Sequence, residues 1–245
     1  MTNWKENVYF VLVEPIETGN IGASARAIKN MGFKNLLLIK PKAVINNEAR
    51  WLAHNALDVL DNAKIYETLE EALEDKSIVV GTSRRRGRKR GVFLSAREGA
   101  GRLFNAALSN NKIAILFGRE DKGLFNTEIE KCGFMMTISA NVEQPSLNLA
   151  QAVLIIAYEL SIAGVENQAD IPAKGTEFVN QKELDYLYTR IQETLHNLGY
   201  FPKGNKDFQK KMMQNLRRFI GRAGISEWEM RMLHGICSRI EKKIR

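Results

Sequence analysis

Short, continuous apolar runs recur through the first 140 residues, and stretches of helical periodicity separate them. Val8 to Val13 (VYFVLV) ends at Glu14-Pro15 and reads as a strand buried on both faces. Leu36 to Ile39, Ser77 to Gly81, Ile113 to Phe117 and Met135 to Ile138 repeat the pattern. Ile21, Ala25 and Ile28 recur at helical spacing after the Thr18-Gly19-Asn20 turn, and Gly32-Phe33 is a helix stop. Further helices are expected near Ala49 to Leu57, Thr68 to Leu73 and Arg97 to Leu108. Ser146 to Ile162 is apolar on most faces and predicts a buried helix. Strands alternating with helices predict an α/β fold with a parallel sheet, in which ligands bind beyond the carboxyl ends of the strands.

After residue 164 the pattern changes. Residues 165–178 are polar, aperiodic and contain Pro172, and they read as a linker between a domain of residues 1–164 and an all-helical domain of residues 179–245. Asn180 and Glu183 make a capping box, with Val179 and Leu184 as its hydrophobic staple. Leu184, Leu187, Tyr188, Ile191, Leu195 and Leu198 form one stripe, and Phe208, Met212, Leu216, Phe219 and Ile220 a second. Ser226 and Glu229 cap a third helix. Three such helices make a small bundle or pack on the first domain.

Charge adds a partner to this picture. The net charge is +8, and residues 174–245, with 15 basic and 8 acidic side chains, carry +7 of it. The near-neutral remainder contains RRRGRKR, Arg84 to Arg90, six basic side chains in seven residues. A solvated loop and a solvated helix face are the ordinary readings. A polyanion, nucleic acid first, is the partner that the asymmetry favours. No run of 18 apolar residues and no signal-peptide pattern suggests a membrane. Cys132 and Cys237 fit a reducing cytoplasm, and their spacing with His54, His196 and His234 predicts no metal site.

The chain has no P-loop, no G-x-G-x-x-G after its first strand and no nucleophile triad. What it has is three segments, each following an expected strand: GNIGASARAIKNMG (Gly19 to Gly32), ILFGREDKGL (Ile115 to Leu124) and PSLNLAQA (Pro145 to Ala152). Asn20-x-Gly22-x-x-x-Arg26 with Gly32, Phe117-Gly118-x-Glu120-x-x-Gly123-Leu124, and Ser146-Leu147-Asn148-x-Ala150-x-Ala152 resemble, in order, the three motifs of the SPOUT RNA 2′-O-ribose methyltransferases. Gly81-Thr82-Ser83, Leu216-Arg217-Arg218-Phe219 and Leu233-His234-Gly235-Ile236 resemble the branch with a helical tail, which methylates the first nucleotide of the tRNA anticodon loop, position 32.

The resemblance implies a parallel sheet with a deep C-terminal trefoil knot over Met135 to Ile162, a homodimer with each active site near the subunit interface, S-adenosyl-L-methionine as methyl donor, and tRNA as partner. By resemblance, Thr82, Ser83, Arg84, Gly118, Ile138, Pro145, Ser146 and Leu147 hold the donor. Asn20, Arg26, Glu120, Ser146 and Asn148 carry the chemistry. Arg26, Arg84, Arg85, Arg86, Arg119, Arg217 and Arg218 face RNA. A guanidinium is effectively always protonated, so the expected role of Arg26 is to hold a phosphate or stabilise a developing 2′-alkoxide. The structural alternatives are a surface ion pair for Arg26 or Glu120 and helix capping for Asn20, Ser146 or Asn148. Ribosomal RNA or another tRNA position is the competing substrate, and an RNA-binding protein without catalysis is the competing class.

Overall fold

The computed structural model describes residues 3–42, 45–84, 91–144, 146–166, 175–202 and 206–244. Its first part alternates strands and helices: β1 (Val8–Val13), α1 (Thr18–Asn30), β2 (Asn35–Ile39), α2 (Asn47–Ala53), α3 (Leu57–Asp61), β3 (Lys64–Tyr66), α4 (Leu69–Leu73), β4 (Ile78–Thr82), β5 (Phe93–Ser95), α5 (Ala96–Leu108), β6 (Ile113–Phe117), α6 (Asn126–Ile129), β7 (Phe134–Thr137) and α7 (Leu149–Glu166). The strands form one sheet in the order β3-β2-β1-β6-β4-β7-β5. Every pairing is parallel, with Leu12 opposite Phe117 and Gly81 opposite Leu116.

The continuous apolar runs have a direct cause. Phe10 and Leu12 of β1 face a core shared with α1, α5 and α7, whereas Val11 and Val13 face a second core with α4 and α6. Both sides of the strand are covered, so the usual alternation of apolar and polar residues disappears. β6 slots between β1 and β4, so the chain reverses its direction of strand addition there. In sheets of this kind such a reversal opens a crevice at the carboxyl ends of the flanking strands.

The structure corrects three expectations. Strands β3 and β5 and the one-turn helix α6 were not anticipated. The last helix of the first part starts at Leu149 rather than Ser146 and runs to Glu166, past the expected boundary at residue 164. This helix, α7, is also long and apolar enough, by length and composition, to cross a membrane, although no unbroken run of 18 apolar residues exists. One side of it packs as a core helix, with Val153, Ile156, Ala157 and Leu160 fully buried against the sheet layer.

The tail comprises α8 (Gln181–Asn197), α9 (Lys206–Ala223) and α10 (Glu227–Ile244). Both expected capping boxes form, the Asn180 side chain accepting from Glu183 N–H at 3.0 Å and the Ser226 hydroxyl from Glu229 N–H at 3.4 Å. Leu184, Leu187, Tyr188, Met213, Ile220 and Ile225 close a separate small core. The tail is also seated on the sheet domain. Asn111 accepts from Phe178 N–H at 2.6 Å and donates to Thr176 O at 2.9 Å, which fixes the extended segment that leads into α8. α9 touches the sheet domain backbone to backbone, for a Cβ on Gly133 would lie 2.0 Å from Gly221 O.

Candidate functional site

The three segments singled out in the sequence meet at the carboxyl rim of β1, β6, β4 and β7. Their junction is a hydrogen-bonded hub. The Glu120 carboxylate, just after β6, accepts from Ile16 N–H at 3.0 Å, Glu17 N–H at 3.2 Å and Asn20 Nδ2 at 2.9 Å. These donors sit at the start of α1, where unpaired amides and the helix dipole favour an anion. Asn20 Oδ1 in turn accepts from Asn148 Nδ2 at 2.8 Å, and Nδ2 of Asn20 also donates to Glu17 at 3.1 Å.

Asn148 completes the link. Its Oδ1 accepts from Ala150 N–H at 2.8 Å and caps α7, while Gln151 Oε1 accepts from Asn148 N–H at 3.2 Å. Capping by Asn148 is why α7 begins at Leu149. Capping of α7 and the bond to Asn20 therefore coexist in Asn148. Asn20 is buried inside α1 and bonded across the rim, so it is no N-cap; Glu120 holds amides rather than a surface cation.

Beside the hub opens a cleft lined by Thr82, Ser83, Arg84, Gly118, Glu120, Ile138, Ser146 and Leu147, together with Leu124, Met136 and Ala152, which are not among the donor-holding residues that the resemblance implies. Thr82 Oγ1 donates to Leu116 O at 2.9 Å and Ser83 N–H to Met136 O at 3.0 Å, so the turn after β4 is pinned to both neighbouring strands. The loop after β6 folds back on itself. Gly123 N–H bonds to Arg119 O at 2.8 Å, Gly123 takes φ +67°, and a Cβ on Gly118 would lie 2.1 Å from the Gly123 carbonyl carbon. Glycine at both positions is a steric requirement. Pro145, Arg85 and Arg86 lie outside the described residues.

Arg119 is a correction. Expected to face RNA, its side chain is 3% exposed and lies between Glu14 and Glu128. Nε and Nη2 donate to Glu14 at 3.1 and 2.7 Å, Nη1 and Nη2 to Glu128 at 3.1 and 2.9 Å, and Nη1 to Gly123 O at 3.3 Å. All five donors of the guanidinium are used, so none remains for a phosphate. The guanidinium carbon also sits 3.9 Å from the Phe125 ring centroid. Arg119 holds the Glu14 carboxyl below the usual carboxylate range. It anchors the loop that carries Glu120. No local pattern signals this role, because Glu14 lies 105 residues away.

The other arginines separate. Arg217 pairs with Asp185 at 2.5 Å and covers Tyr188 at 4.4 Å, and unlike Arg119 its side chain stays 34% exposed. Arg218 lies alongside Gly91, just before β5. Arg26 is exposed on α1, lies outside the cleft lining, and makes no hydrogen bond or ion pair among the described residues; the surface ion pair is not formed.

Residues 7–158 match the SpoU rRNA Methylase family, and residues 182–245 match the C-terminal domain of the tRNA methyltransferase TrmJ. This chain belongs to the SpoU methylase family. Within it, the chain is 37% identical over 98% of its length to the tRNA (cytidine/uridine/adenosine-2′-O-)-methyltransferase TrmJ of Pseudomonas aeruginosa, 96% of which is covered. The crystal structure of TrmJ from Z. mobilis superposes with a TM-score of 0.78 at 29% identity, covering 95% of this chain and 98% of that one. The SpoU methyltransferase AviRb of Streptomyces viridochromogenes, solved in complex with the cofactor AdoMet, shares the fold of 66% of this chain, with 62% of its own chain covered, at a TM-score of 0.53 and 21% identity. The chain is thus an enzyme of the SpoU methylase family with a TrmJ-type helical tail.

Proposed function

We propose that this SpoU-family enzyme transfers a methyl group from S-adenosyl-L-methionine to the ribose 2′-oxygen of cytidine or uridine at position 32 in the anticodon loop of tRNA. The observation that carries the proposal is the hub of Asn20, Glu120 and Asn148, which binds three distant segments around one cleft in a chain whose full-length relative is a tRNA 2′-O-methyltransferase.

The residues present fit the donor. Leu124, Met136, Ile138 and Leu147 supply apolar walls beside the backbone of the strand ends, which suits an adenosine. The Glu120 carboxylate lies at the same cleft, and the cation of Arg119 is neutralised by two carboxylates, so a sulfonium meets no unpaired charge from that side chain. Thr82, Ser83, Gly118, Ile138, Ser146 and Leu147 would hold S-adenosylmethionine, and its sulfonium supplies an electrophilic methyl group. Arg26 acts by holding a phosphate or the developing alkoxide.

Arg26 lies outside the cleft of its own chain, which is the arrangement a homodimer would use. A partner surface is available: Leu154, Tyr158 and Val165 of α7 are exposed on the side opposite its buried face. The same reading threads the chain from β7 through α7 as a trefoil knot. It places the enzyme in the cytoplasm, in keeping with two free cysteines and a tRNA substrate. The family description favours one alternative, ribosomal RNA.

The test is incubation with labelled S-adenosylmethionine and either total tRNA or ribosomal RNA, followed by mapping of the methylated ribose. Label confined to position 32 of tRNA is expected; label only in ribosomal RNA replaces the proposal with its alternative. Arg26→Ala is expected to retain donor binding and lose transfer.

A further inference from the structure

Arg102 of α5 is held quite differently from Arg119. Its Nη2 donates to Arg222 O in the last turn of α9, and its guanidinium carbon sits 5.3 Å from the centroid of the buried Phe134 ring. Among the described residues its Nε and Nη1 make no hydrogen bond and no carboxylate pairs with it, and the residue is exposed. Partial burial and the neighbouring Arg222 charge push its pKa below the usual arginine value. Arg222 is exposed as well and has no ion pair among the described residues. Two cations thus stand together at the seam between the sheet domain and the tail. Bringing like charges together is unfavourable in the free chain, and a phosphate that meets both removes the repulsion.

The outer face of α9 continues this pair. Met213 and Ile220 turn into the tail core, Gln214 donates to Glu130 at 2.6 Å and Arg217 to Asp185 at 2.5 Å, so one side of the helix is committed to packing. Lys211, Asn215, Phe219 and Arg222 follow one another at three- and four-residue spacing on the other side, and all four are exposed, Phe219 at 63%. The row is about 16 Å long at about 1.5 Å per residue. Its far end is fixed against the sheet domain, for a Cβ on Gly133 would lie 2.0 Å from Gly221 O and 2.9 Å from Arg222 N. The carboxylates around the seam are engaged. Glu98, one turn before Arg102, accepts from Ser95 N–H at 2.9 Å and from its hydroxyl at 2.7 Å. Glu229 accepts from Ser226 N–H at 2.7 Å, and Glu227 pairs with Arg231. Asp207 forms no ion pair among the described residues, but it lies in the first turn of α9, beside Lys210 and Lys211 and about four turns from Arg222.

This surface is remote from the cleft of its own chain. The tail is seated at the amino ends of the strands: Ser77 and Asn111, which bond to Phe178, precede β4 and β6, and Gly133 precedes β7. The cleft lies beyond the carboxyl ends of the same strands. Strands of four or five residues, at about 3.3 Å per residue, set the two rims about 13–17 Å apart. A ligand that meets both is a long polyanion rather than a single nucleotide. Cations in a row with an exposed ring among them have the composition of a nucleic-acid groove, the cations for phosphates and the ring for a base. We propose that Arg102, Arg222 and Lys211, with Phe219 among them, form a second contact surface for tRNA, holding its backbone away from the nucleotide that reacts. The inference rests on the proposed tRNA substrate and adds to it residues outside every segment that resembles a motif, Phe219 excepted.

The test is equilibrium binding of the full chain to full-length tRNA over a range of salt, with methylation kinetics in parallel. Arg222→Gln and Lys211→Gln are each expected to lower the slope of log K against log salt by about 0.7–0.9, and together to raise Kd and KM for tRNA by about tenfold. Because the surface lies away from the cleft, kcat and donor affinity change little. Phe219→Ala weakens binding and leaves the salt slope unchanged. Arg102→Gln also removes the bond to Arg222 O, so hydrogen exchange of the α9 amides is read beside its binding. Wild-type affinity and salt slope in both Arg222→Gln and Lys211→Gln overturn the surface, and loss confined to Arg102→Gln with faster α9 exchange then makes Arg102 a brace for the tail. A loss of binding that tracks a change in sedimentation mass also overturns it, since the face would then join copies of the chain. If the wild-type chain methylates no RNA while tRNA binding still depends on Arg222 and Lys211, the proposed activity fails and the surface stands.

Discussion

Asn20→Asp is nearly isosteric and reverses one atom, turning the Nδ2 donor into an oxygen. That oxygen would face Glu120 Oε1 at 2.9 Å and Glu17 Oε2 at 3.1 Å, while the bond from Asn148 to the other oxygen stays possible. At an effective dielectric of about 20, two unit charges about 3 Å apart repel by about 5–6 kcal/mol. Protonating one carboxyl is cheaper. At pH 7 it costs about 1.4 kcal/mol for each unit above an ordinary pKa near 4, or about 4 kcal/mol. Partial exposure of Glu120 lowers the bound, and the expected destabilisation is about 2–4 kcal/mol. For a chain of this size that is a fall in Tm of roughly 5–15 °C. The sign with pH is fixed by linkage. The variant's folded state keeps a shared proton that its unfolded state releases, so its stability relative to wild type rises as pH falls from 7 toward 5. Thermal unfolding of both proteins at pH 7 and pH 5 reads this directly, and the deficit should shrink by more than half at pH 5. A variant as stable as wild type at pH 7, or a deficit independent of pH, would refute the coupling of the three segments through Asn20.

Arg119→Met leaves Glu14 and Glu128 without their cation and should destabilise the chain by about 3 kcal/mol in denaturant unfolding. In wild type Arg119 depresses the Glu14 pKa, so that stabilisation is present above the ordinary Glu value near 4.3 and is lost as pH falls through the lower folded value. The acid-side loss of Tm attributable to Glu14 should therefore vanish in the methionine variant. Gly133→Ala drives a Cβ into Gly221 O and should loosen α9 from the sheet domain at a cost of about 1–3 kcal/mol, seen as faster hydrogen exchange of α9 amides with the β1 and β6 amides unaffected. If the basic segment contacts phosphates, Arg86→Ala and Arg88→Ala should each reduce the salt slope of tRNA binding by about 0.7–0.9 and leave donor binding intact.

Much of the architecture is legible in the sequence because the central strands are buried on both faces. β1 and β6 announce themselves as VYFVLV and IAILF, and the capping boxes at Asn180 and Ser226 fix where two tail helices begin. β3 and β5 were not legible, because each is three residues long and at the sheet's edge, and Ile65 of β3 is 56% exposed, so neither leaves a continuous run. The insertion of β6 between β1 and β4 is a tertiary fact with no local signature. In the site, the motif segments point to Asn20, Glu120 and Asn148, but nothing in them says that these three side chains bond to one another. Arg119 was misread for a related reason. An arginine in a Gly-Arg-Glu turn reads as surface, and only the folded chain brings Glu14 and Glu128 to its two edges. The three motif segments meet at one cleft; the partners that make Arg119 a buried anchor come from elsewhere in the chain.

The central claim is that three segments joined through Asn20 form one site that methylates the ribose at position 32 of tRNA. Mass spectrometry of 2′-O-methylated nucleotides in anticodon-loop fragments from cells lacking the gene, then complemented with wild type or Arg26→Ala, tests it most directly. The expected result is a mark at position 32 that disappears with the gene, returns with wild type and does not return with Arg26→Ala. A mark that persists without the gene, or that Arg26→Ala restores in full, would contradict the account.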